Sequence, residues 1–274
     1  MLPLATQAGD NPEGLIELIE KRAGGRLGVS VLDMHTGRRI AYRGDERFPM
    51  CSTFKLLMVA RVLQRIDRGE EKLSRWITYR KADLLEYAPV TREHVGEGGM
   101  KLEGLAAATI EWSDNTAANL LLDTIGGPRG YTNFARSLDD TVTRLDRNEP
   151  ALNTSIPGDP RDTTSPDAMA DDLKRVLLGN VLSEESRKRL TGWMIACKTA
   201  DRRIRAGLPK NWKSGDKTGT GRNGSTNDIA IIWPPGRKPV LMTVYYTQSK
   251  ADTPAREAVI ADVARIVGKI ILPV

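Results

Sequence analysis

The sequence contains little histidine and little cysteine, which limits the metal sites and disulfide bonds that it can form. Only two residues of each type occur among its 274 residues. Cys51 and Cys197 lie far apart, and no group of histidines and cysteines has the spacing of a metal site. We therefore expect neither a bound metal nor a cofactor. The two cysteines could in principle form one disulfide bond, but each is as easily a small buried apolar residue.

Long hydrophobic runs are also missing. The longest ones, 56–60 and 229–233, are far shorter than the roughly 18 residues of a membrane-spanning helix. Residues 1–8 lack the basic segment and the full apolar segment of a signal peptide. These absences predict a globular protein without a membrane partner, which is either cytosolic or a mature form whose leader has been removed.

The excess of positive charge is modest and dispersed. The sequence has 41 Lys and Arg residues against 35 Asp and Glu residues, a formal net charge of +6. The basic residues alternate with acidic ones, whereas nucleic-acid-binding proteins gather them in one patch. We therefore expect no nucleic-acid partner. The hydrophobic content of 40% is enough for the core of one large domain or of two ordinary ones.

Hydrophobic periodicity predicts a helix and then a hairpin at the start of the chain. Asp10 or Asn11 caps the helix, Pro12 lies in its first turn, and Gly24-Gly25 ends it. The period then changes to the alternation of a β-hairpin with one covered face, in Leu27, Val29, Val31, Ile40 and Tyr42 around a Thr36-Gly37 turn.

The middle of the chain is predicted to be helical and its end to return to strands. Helical patterns cover residues 101–111, 115–125, 131–138, 166–178 and 184–195, strand patterns cover 214–219, 228–234 and 240–247, and a last helix covers 254–268. We predict an α+β fold in which both chain ends form one antiparallel sheet flanked by terminal helices, with an inserted all-α domain. The α/β domain would comprise residues 1–44 and 196–274. The all-α domain would comprise residues 45–195, including an irregular loop at 144–162.

The stretch Cys51-Ser52-Thr53-Phe54-Lys55 places a hydroxyl and an amine three residues apart at the start of an apolar helical segment. Residues i and i+3 share a helix face, so Ser52 and Lys55 can act together. The unpaired N–H groups at a helix N-terminus also suit an oxygen that becomes negative during a reaction. The alternative for this stretch alone is an N-cap serine followed by a solvated lysine.

Two further short motifs follow in the chain. Ser113-Asp114-Asn115 precedes a helical segment and by itself is typical of a helix cap. Lys217-Thr218-Gly219 ends a strand-like run, where glycine would allow a close approach to the strand edge. By itself this tripeptide is also compatible with an ordinary turn.

Taken together, the motifs S-x-x-K, S-D-N and K-T-G occur in the order that class A β-lactamases and penicillin-binding proteins share. The chain resembles the class A serine β-lactamases over nearly its whole length. The loop sequence Glu149-Pro150-Ala151-Leu152-Asn153 favours that family, because class A enzymes use its Glu and Asn to hold the water that hydrolyses the acyl ester. The resemblance implies hydrolysis of penicillins and cephalosporins, and hence β-lactam resistance.

The resemblance also implies a role for each motif residue. Ser52 would attack the lactam carbonyl, and Lys55 or Glu149 would take its proton, an alternative that the sequence leaves open. Ser113 would pass a proton to the departing nitrogen, with Lys217 polarising it. Asn115 would bind the acylamide side chain, and Asn153 would help Glu149 to activate water. The oxyanion would be received by the backbone N–H groups of Ser52 and Thr220. The substrate carboxylate would be received by the K-T-G strand, through Lys217, Thr218, Gly219 and Thr220.

Four other positions match features of the family. Members need an arginine near the carboxylate site, and the segment Arg203-Ile204-Arg205-Ala206-Gly207 makes Arg203 the candidate. Tyr87 matches an aromatic residue at the cleft mouth. Arg147 and Asp162 match an ion pair that fixes the long loop. Some relatives join a cysteine beside the nucleophile to a second one, but Gly221 occupies that second position here, so this disulfide is excluded.

The family also supplies the expectations for partners and location. They are small-molecule β-lactam substrates and inhibitors, a monomeric state, and a periplasmic or secreted location after removal of a signal peptide that this sequence does not contain. Two alternatives remain, a penicillin-binding protein with DD-peptidase activity and a non-catalytic β-lactam sensor domain.

Overall fold

Both ends of the chain contribute to one five-stranded antiparallel sheet in the computed structural model, which describes residues 11–271. The strands are β1 (Arg26–Asp33), β2 (Arg39–Tyr42), β3 (Phe48–Pro49), β4 (Trp76–Thr78), β5 (Gly99–Lys101), β6 (Thr163–Thr164), β7 (Lys213–Thr220), β8 (Thr226–Trp233) and β9 (Val240–Thr247). The main sheet has the order β2-β1-β9-β8-β7, while β3 pairs with β6 and β4 with β5. The predicted α+β fold class is confirmed, and the short strand pairs are the feature that periodicity missed.

Some of the helices flank this sheet, and the others make up most of the chain between β3 and β7. They are α1 (Pro12–Ala23), α2 (Phe54–Asp67), α3 (Leu102–Glu111), α4 (Asn115–Thr124), α5 (Gly127–Ser137), α6 (Pro166–Leu177), α7 (Glu184–Ile195), α8 (Ile204–Gly207) and α9 (Thr253–Ile271). Asn11 is the N-cap of α1, since its side chain accepts a hydrogen bond from the Gly14 N–H at 3.0 Å. The alternative cap Asp10 and the segment 1–8 lie outside the described residues.

The expectation that the hairpin has one covered face is wrong for β1. All residues of β1 after Arg26 are buried, because the strand lies between β2 and β9 and has helices on both sides. Leu27, Val29 and Val31 pack in the apolar cluster beneath α1 and α9. On the opposite face Gly28 admits Phe48, and a side chain there would lie 2.4 Å from that ring. Because the residues on that face are small, the alternation of apolar and polar residues did not reveal that this face of β1 is also covered.

The helical part of the chain has its own core around α2. Residues 54–60 of this helix are all buried, and they belong to a cluster that extends to β8 and β9 on the inner face of the sheet. Since one apolar cluster spans the sheet and the helices, the boundaries proposed for the two domains stay a prediction. Between residues 11 and 271, no helix combines the length and the apolar character that crossing a bilayer requires.

Two carboxyl groups lie near each other inside the helical part, those of Asp172 on α6 and Asp140. Asp172 is fully buried, and burial together with the charge of Asp140 raises its pKa well above the usual range. Asp140 Oδ1 accepts hydrogen bonds from the N–H groups of Val142 at 2.7 Å and Thr143 at 3.0 Å. Asp172 receives no such bond within residues 11–271. The pair is therefore stable when Asp172 carries a proton.

This pair predicts a stability that decreases as the pH rises. An unfolded aspartate loses its proton near pH 4, whereas folded Asp172 keeps it, so the free energy of unfolding decreases above that pH. Replacing Asp172 by Asn supplies a permanent donor to Asp140 and should raise the free energy of unfolding at pH 8 by about 1–3 kcal/mol. Urea unfolding at pH 5 and pH 8 measures both effects. The control is Asp45→Asn at an exposed position, and an equal pH dependence in the wild type and Asp172→Asn would contradict the interpretation.

Candidate active site

Ser52 lies in a tight turn, Cys51–Thr53, that leads directly into α2. The turn is held from two sides. The Thr53 hydroxyl donates to the carbonyl of Met50 at 2.8 Å, and Asn227 Nδ2 donates to the carbonyls of Pro49 at 2.9 Å and Met50 at 3.0 Å. Cys51 has a positive φ of 46°, which turns the chain sharply before the serine. These contacts fix the position of the Ser52 hydroxyl at the base of a cleft.

Strand β7 passes close to this turn because residue 219 is glycine. A Cβ atom at Gly219 would lie 2.8 Å from the carbonyl oxygen of Met50 and 3.2 Å from the backbone nitrogen of Ser52. The close approach anticipated at the strand edge is therefore that of the serine turn itself. It brings the end of β7, with the backbone of Thr220, next to the start of α2.

A buried ion pair joins Lys55 on α2 to Glu149 in the long loop. The distance from Lys55 Nζ to Glu149 Oε1 is 3.1 Å, and both side chains are fully buried. Ser52 Oγ donates to the same carboxylate oxygen at 3.3 Å. Lys55 also donates to Asn115 Oδ1 at 2.6 Å and to the Ser113 carbonyl at 2.8 Å. The serine and the lysine therefore meet through one carboxylate oxygen.

Glu149 is held in place by two asparagines. Asn153 Nδ2 donates to Glu149 Oε2. The side chain of Asn119 on α4 forms a pair of bonds with the Glu149 backbone, donating to its carbonyl at 2.9 Å and accepting from its N–H at 3.0 Å. The loop acid therefore points its two oxygens in different directions, one to the serine and one to an amide.

The loop that carries Glu149 is fixed at both ends. At its base, Arg147 Nε contacts Asp162 Oδ2 at 2.6 Å, and Asp162 Oδ1 accepts from the N–H groups of Asp146 at 2.7 Å and Arg147 at 3.0 Å. At its tip, the Arg222 N–H donates to the Asn153 carbonyl at 2.8 Å. The loop is therefore closed at its base by its own residues and joined at its tip to the turn between β7 and β8.

Ser113 lies between two buried ammonium groups. Lys217 Nζ donates to its hydroxyl oxygen at 3.0 Å and Lys55 Nζ does so at 3.3 Å. A positive φ of 59° at Ser113 aims this hydroxyl into the site. Burial and the charge of Lys55 lower the pKa of Lys217 to about 7. Burial also lowers the pKa of Lys55, in opposition to the Glu149 carboxylate, which raises it.

These groups line a cleft of about 390 Å³ between the sheet and the helical part of the chain. Its walls are formed by Ser52, Tyr87, Ser113, Asn115, Asn153, Thr199, Arg203, Thr218, Gly219, Thr220 and Glu257. Tyr87 stands at the mouth with 49% of its surface exposed, and its hydroxyl donates to the Trp112 carbonyl at 3.1 Å. Lys55 and Lys217 are fully buried and Glu149 nearly so. They reach the cleft through the hydroxyl groups of Ser52 and Ser113.

Arg203 supplies positive charge at the end of β7. Its guanidinium donates to the Gly219 carbonyl at 2.8 Å, to the Asn227 carbonyl at 2.7 Å and to the Thr220 hydroxyl oxygen at 2.7 Å. Glu257 of α9 contacts its Nε at 3.3 Å. The arginine therefore stands behind Thr220 at one end of the cleft.

Three residues of the site were not predicted from the sequence, and a fourth was predicted only as a possible helix cap. Asn119 positions the Glu149 peptide, Thr199 and Glu257 line the cleft, and Asp114 caps α4 by accepting from the Ala117 N–H at 2.9 Å. Asp114 was noted only as a possible cap, although it also accepts from the Thr91 hydroxyl and N–H. Asn119, Thr199 and Glu257 belong to no motif with a fixed spacing to the serine, whereas Asp114 is the middle residue of the S-D-N motif. Only the helical spacing of Asn119 four residues after Asn115 offered a signal.

The two cysteines do not pair with each other. Both are free and buried. Burial raises the pKa of Cys51 to about 12. Cys51 lies beside Gly221, where an added Cβ would be 2.6 Å from its sulfur, so glycine at 221 leaves this thiol without the partner that some relatives provide. Across residues 11–271 there is no group of three or more His, Cys, Asp or Glu side chains that could hold a metal ion.

Comparisons with known proteins identify the family to which this site belongs. The model of the β-lactamase enzyme family matches residues 13–271. The chain is 47% identical to β-lactamase OXY-2 of Klebsiella oxytoca, over 91% of this chain and 86% of the relative. It is also 47% identical to β-lactamase CTX-M-8 of Citrobacter amalonaticus, over 97% and 90%.

Solved structures give the same result. An ancestral class A β-lactamase superposes with a TM-score of 0.92 at 61% identity, covering 93% of this chain and 98% of that chain. Both the fold and the sequence therefore agree with one family over nearly the full length. The chain belongs to the class A β-lactamases.

Proposed function

We propose that the protein hydrolyses the β-lactam amide bond of penicillins and cephalosporins through an acyl-enzyme on Ser52. The observation that carries this proposal is the position of Glu149 Oε1, which lies 3.3 Å from the Ser52 hydroxyl and 3.1 Å from Lys55 Nζ. A hydroxyl flanked by a carboxylate and an amine has a route for its proton and can act as a nucleophile. The activity would make its host resistant to these antibiotics.

In the acylation step, Ser52 Oγ attacks the lactam carbonyl while its proton passes to Lys55 or Glu149. Glu149 Oε1 accepts directly from Ser52 Oγ at 3.3 Å, whereas Lys55 reaches the serine through that same oxygen and must pass its own proton on before it can act as the base. The carbonyl oxygen becomes negative and is received by the backbone N–H groups of Ser52 and Thr220, a donor pair in which each member contributes about 3 kcal/mol. The C–N bond then breaks, and Ser113 gives its proton to the departing nitrogen and regains one from Lys217 or Lys55.

In the deacylation step, Glu149 and Asn153 hold and activate a water molecule that attacks the ester carbonyl. Glu149 takes the proton of the water, and Ser52 leaves as the alcohol. Asn119 and Asn153 support this role because they keep the Glu149 carboxylate directed at Ser52. This step favours a hydrolase over the DD-peptidase and sensor alternatives, both of which retain the acyl group for longer.

Substrate recognition in this proposal depends on β7 and its surroundings. The substrate carboxylate is received by Lys217, Thr218 and Thr220, with the charge of Arg203 behind them. Asn115 binds the acylamide side chain, Gly219 lets the substrate lie along the strand edge, and Tyr87 covers the mouth. The buried positive charges at this end of the cleft attract the anionic group that both drug classes share.

We also propose that the protein acts as a monomer in the periplasm or outside the cell. The support is its membership of the class A β-lactamase family.

Repeated turnover of a chromogenic cephalosporin tests the proposed function. We expect many substrate molecules to be hydrolysed per enzyme, whereas a single stoichiometric burst would indicate a DD-peptidase or a sensor.

The variant Glu149→Gln keeps the shape of the loop but loses the base, so deacylation should slow by a factor of about 10²–10⁴. Intact-protein mass spectrometry with penicillin should then detect a persistent adduct on Ser52. Absence of that adduct would reject the deacylation role of Glu149.

The ion pair at the base of the loop predicts a loop-specific defect. Arg147→Ala removes a nearly buried partner of Asp162 and should destabilise the loop by about 2–3 kcal/mol, less than a full buried pair because two amide bonds to Asp162 persist. We expect slower deacylation and faster proteolysis between residues 144 and 162. Arg161→Ala, in the same loop at an exposed ion pair, is the matched control. Equal behaviour of the two variants would remove Arg147 from this role.

The lowered pKa of Lys217 predicts that kcat/KM decreases at alkaline pH. In the free enzyme its proton is lost as the pH rises through about 7, and the neutral amine attracts the substrate carboxylate less. The value of kcat/KM should therefore fall on the alkaline side of about pH 7. Lys217→Arg keeps its charge at all accessible pH values and should lack this limb. Measurement of kcat/KM from pH 5.5 to 9.5 compares the two, and an identical limb in both would assign it to another group.

A further inference from the structure

A chain of three side chains leads from the interior to the cleft and ends at Thr218. Cys197 Sγ lies 3.3 Å from Thr199 Oγ1, which lies 2.5 Å from Thr218 Oγ1. Cys197 is 2% exposed, Thr199 is half-buried, and Thr199 and Thr218 both line the cleft. Neither Cys197 nor Thr199 belongs to a motif of the family resemblance.

The backbone around Cys197 and Thr199 is firmly held. The Lys198 N–H donates to the Glu111 carbonyl at 2.8 Å, and Arg205 Nη1 donates to the Cys197 carbonyl at 3.2 Å. Arg205 is itself paired with the buried Asp216 at 2.8 Å. The segment between α7 and α8 is therefore tied to both α3 and β7, and the position of the Thr199 hydroxyl is set by the fold.

The three protons of this hydrogen-bonded series form a continuous relay in two directions, and in a third arrangement both neighbours donate to Thr199, whose own proton then enters the cleft. If they point inward, Thr218 donates to Thr199, Thr199 donates to Cys197, and the thiol proton has no acceptor in the part of the chain that the structure describes. If they point outward, Cys197 donates to Thr199, Thr199 donates to Thr218, and the Thr218 proton faces the cleft. Of the two continuous relays, only the outward one leaves no buried donor unpaired, and unlike the third arrangement it leaves the Thr218 proton free to meet an anion in the cleft. Each bond in such a chain also polarises the next.

We propose that Cys197 and Thr199 are positioning residues that direct the Thr218 hydroxyl proton toward the substrate carboxylate. This inference rests on the proposed function and names a determinant of its substrate class. Thr218 accepts one bond from behind and donates one forward, so it meets the anion as an oriented donor. A substrate without the negative carboxylate gains less from that orientation. The relay therefore contributes to the selection of anionic lactams.

The experiment compares a cephalosporin with its methyl ester, which lacks the negative charge, and uses the ratio of the two kcat/KM values. Thr199→Val is nearly isosteric and removes the donor, so the ratio should fall about 3–10-fold, mainly through KM of the acid. Thr199→Ser keeps a hydroxyl and should restore it. Cys197→Ala should lower the ratio about 2–3-fold, while Cys197→Ser, with a stronger donor, should keep or raise it.

The outcomes separate the inference from the proposed function. Absence of multiple turnover in the wild type rejects the proposed function, and the relay with it. With an active wild type, an unchanged ratio in Thr199→Val overturns the relay, even if both substrates slow equally, since a packing defect acts on acid and ester alike. Thr199→Ala is a second donor-free variant in case valine perturbs folding, and it must lower the ratio as well. A failure of serine to rescue also counts against the relay.

Discussion

The buried ion pair between Lys55 and Glu149 is the constraint on which the site depends. Removing two charges from water costs several kcal/mol per ion, so such a pair persists only where its remaining hydrogen-bonding positions are filled. Here they are filled by Asn115 and the Ser113 carbonyl on the lysine side, and by Asn153 and Ser52 on the carboxylate side. Every one of these partners belongs to the cleft. The geometry needed to stabilise the pair is therefore the same geometry that places the proposed nucleophile, Ser52, beside the proposed base, Glu149.

The pair also connects two segments that are distant in the sequence. Lys55 is rigid because α2 runs through the core, whereas Glu149 belongs to a loop without regular structure over most of its length. The ion pair between Arg147 and Asp162, and the bonds of Asn119 to the Glu149 backbone, give this loop the rigidity that a helix would otherwise provide. A loop held in this way can present an acid at the base of the cleft while its Leu145 and Leu152 side chains pack in the core.

The sheet contributes the other half of the site through one edge strand. β7 is at the end of the strand order, so its outer side is free of a neighbouring strand and faces the cleft. Gly219 lets that strand approach the serine turn, and Lys217 extends from it to Ser113. Serine, lysine and acid are supplied by the helical side, while the donors for the substrate anion are supplied by the sheet.

The order of elements was predicted well because it is encoded locally, and the motif residues named from the family resemblance do lie together around one cleft, while their roles stay a prediction. The spacing of Ser52 and Lys55 on a helix, and the alternation in β8 and β9, are such signals. What was missed depends on contacts between distant segments. The second covering layer over β1 was hidden by Gly28, and Asn119 acts on a loop 30 residues away. The disulfide considered between Cys51 and Cys197 is absent, since the structure leaves both thiols free. Their separation in space could not be read from two isolated positions.

The contact between the tip of the loop and the turn after β7 has an evolutionary consequence. Arg222 and Asn223 bind the backbone of residues 153–155, so the turn after β7 is mechanically continuous with the segment that bears Glu149. A mutation that moves this turn to admit a larger antibiotic is expected to disturb also the acid that we propose to activate water. Adaptation to new drugs at this corner is therefore expected to trade breadth of spectrum against speed, unless a compensating change elsewhere re-anchors the loop.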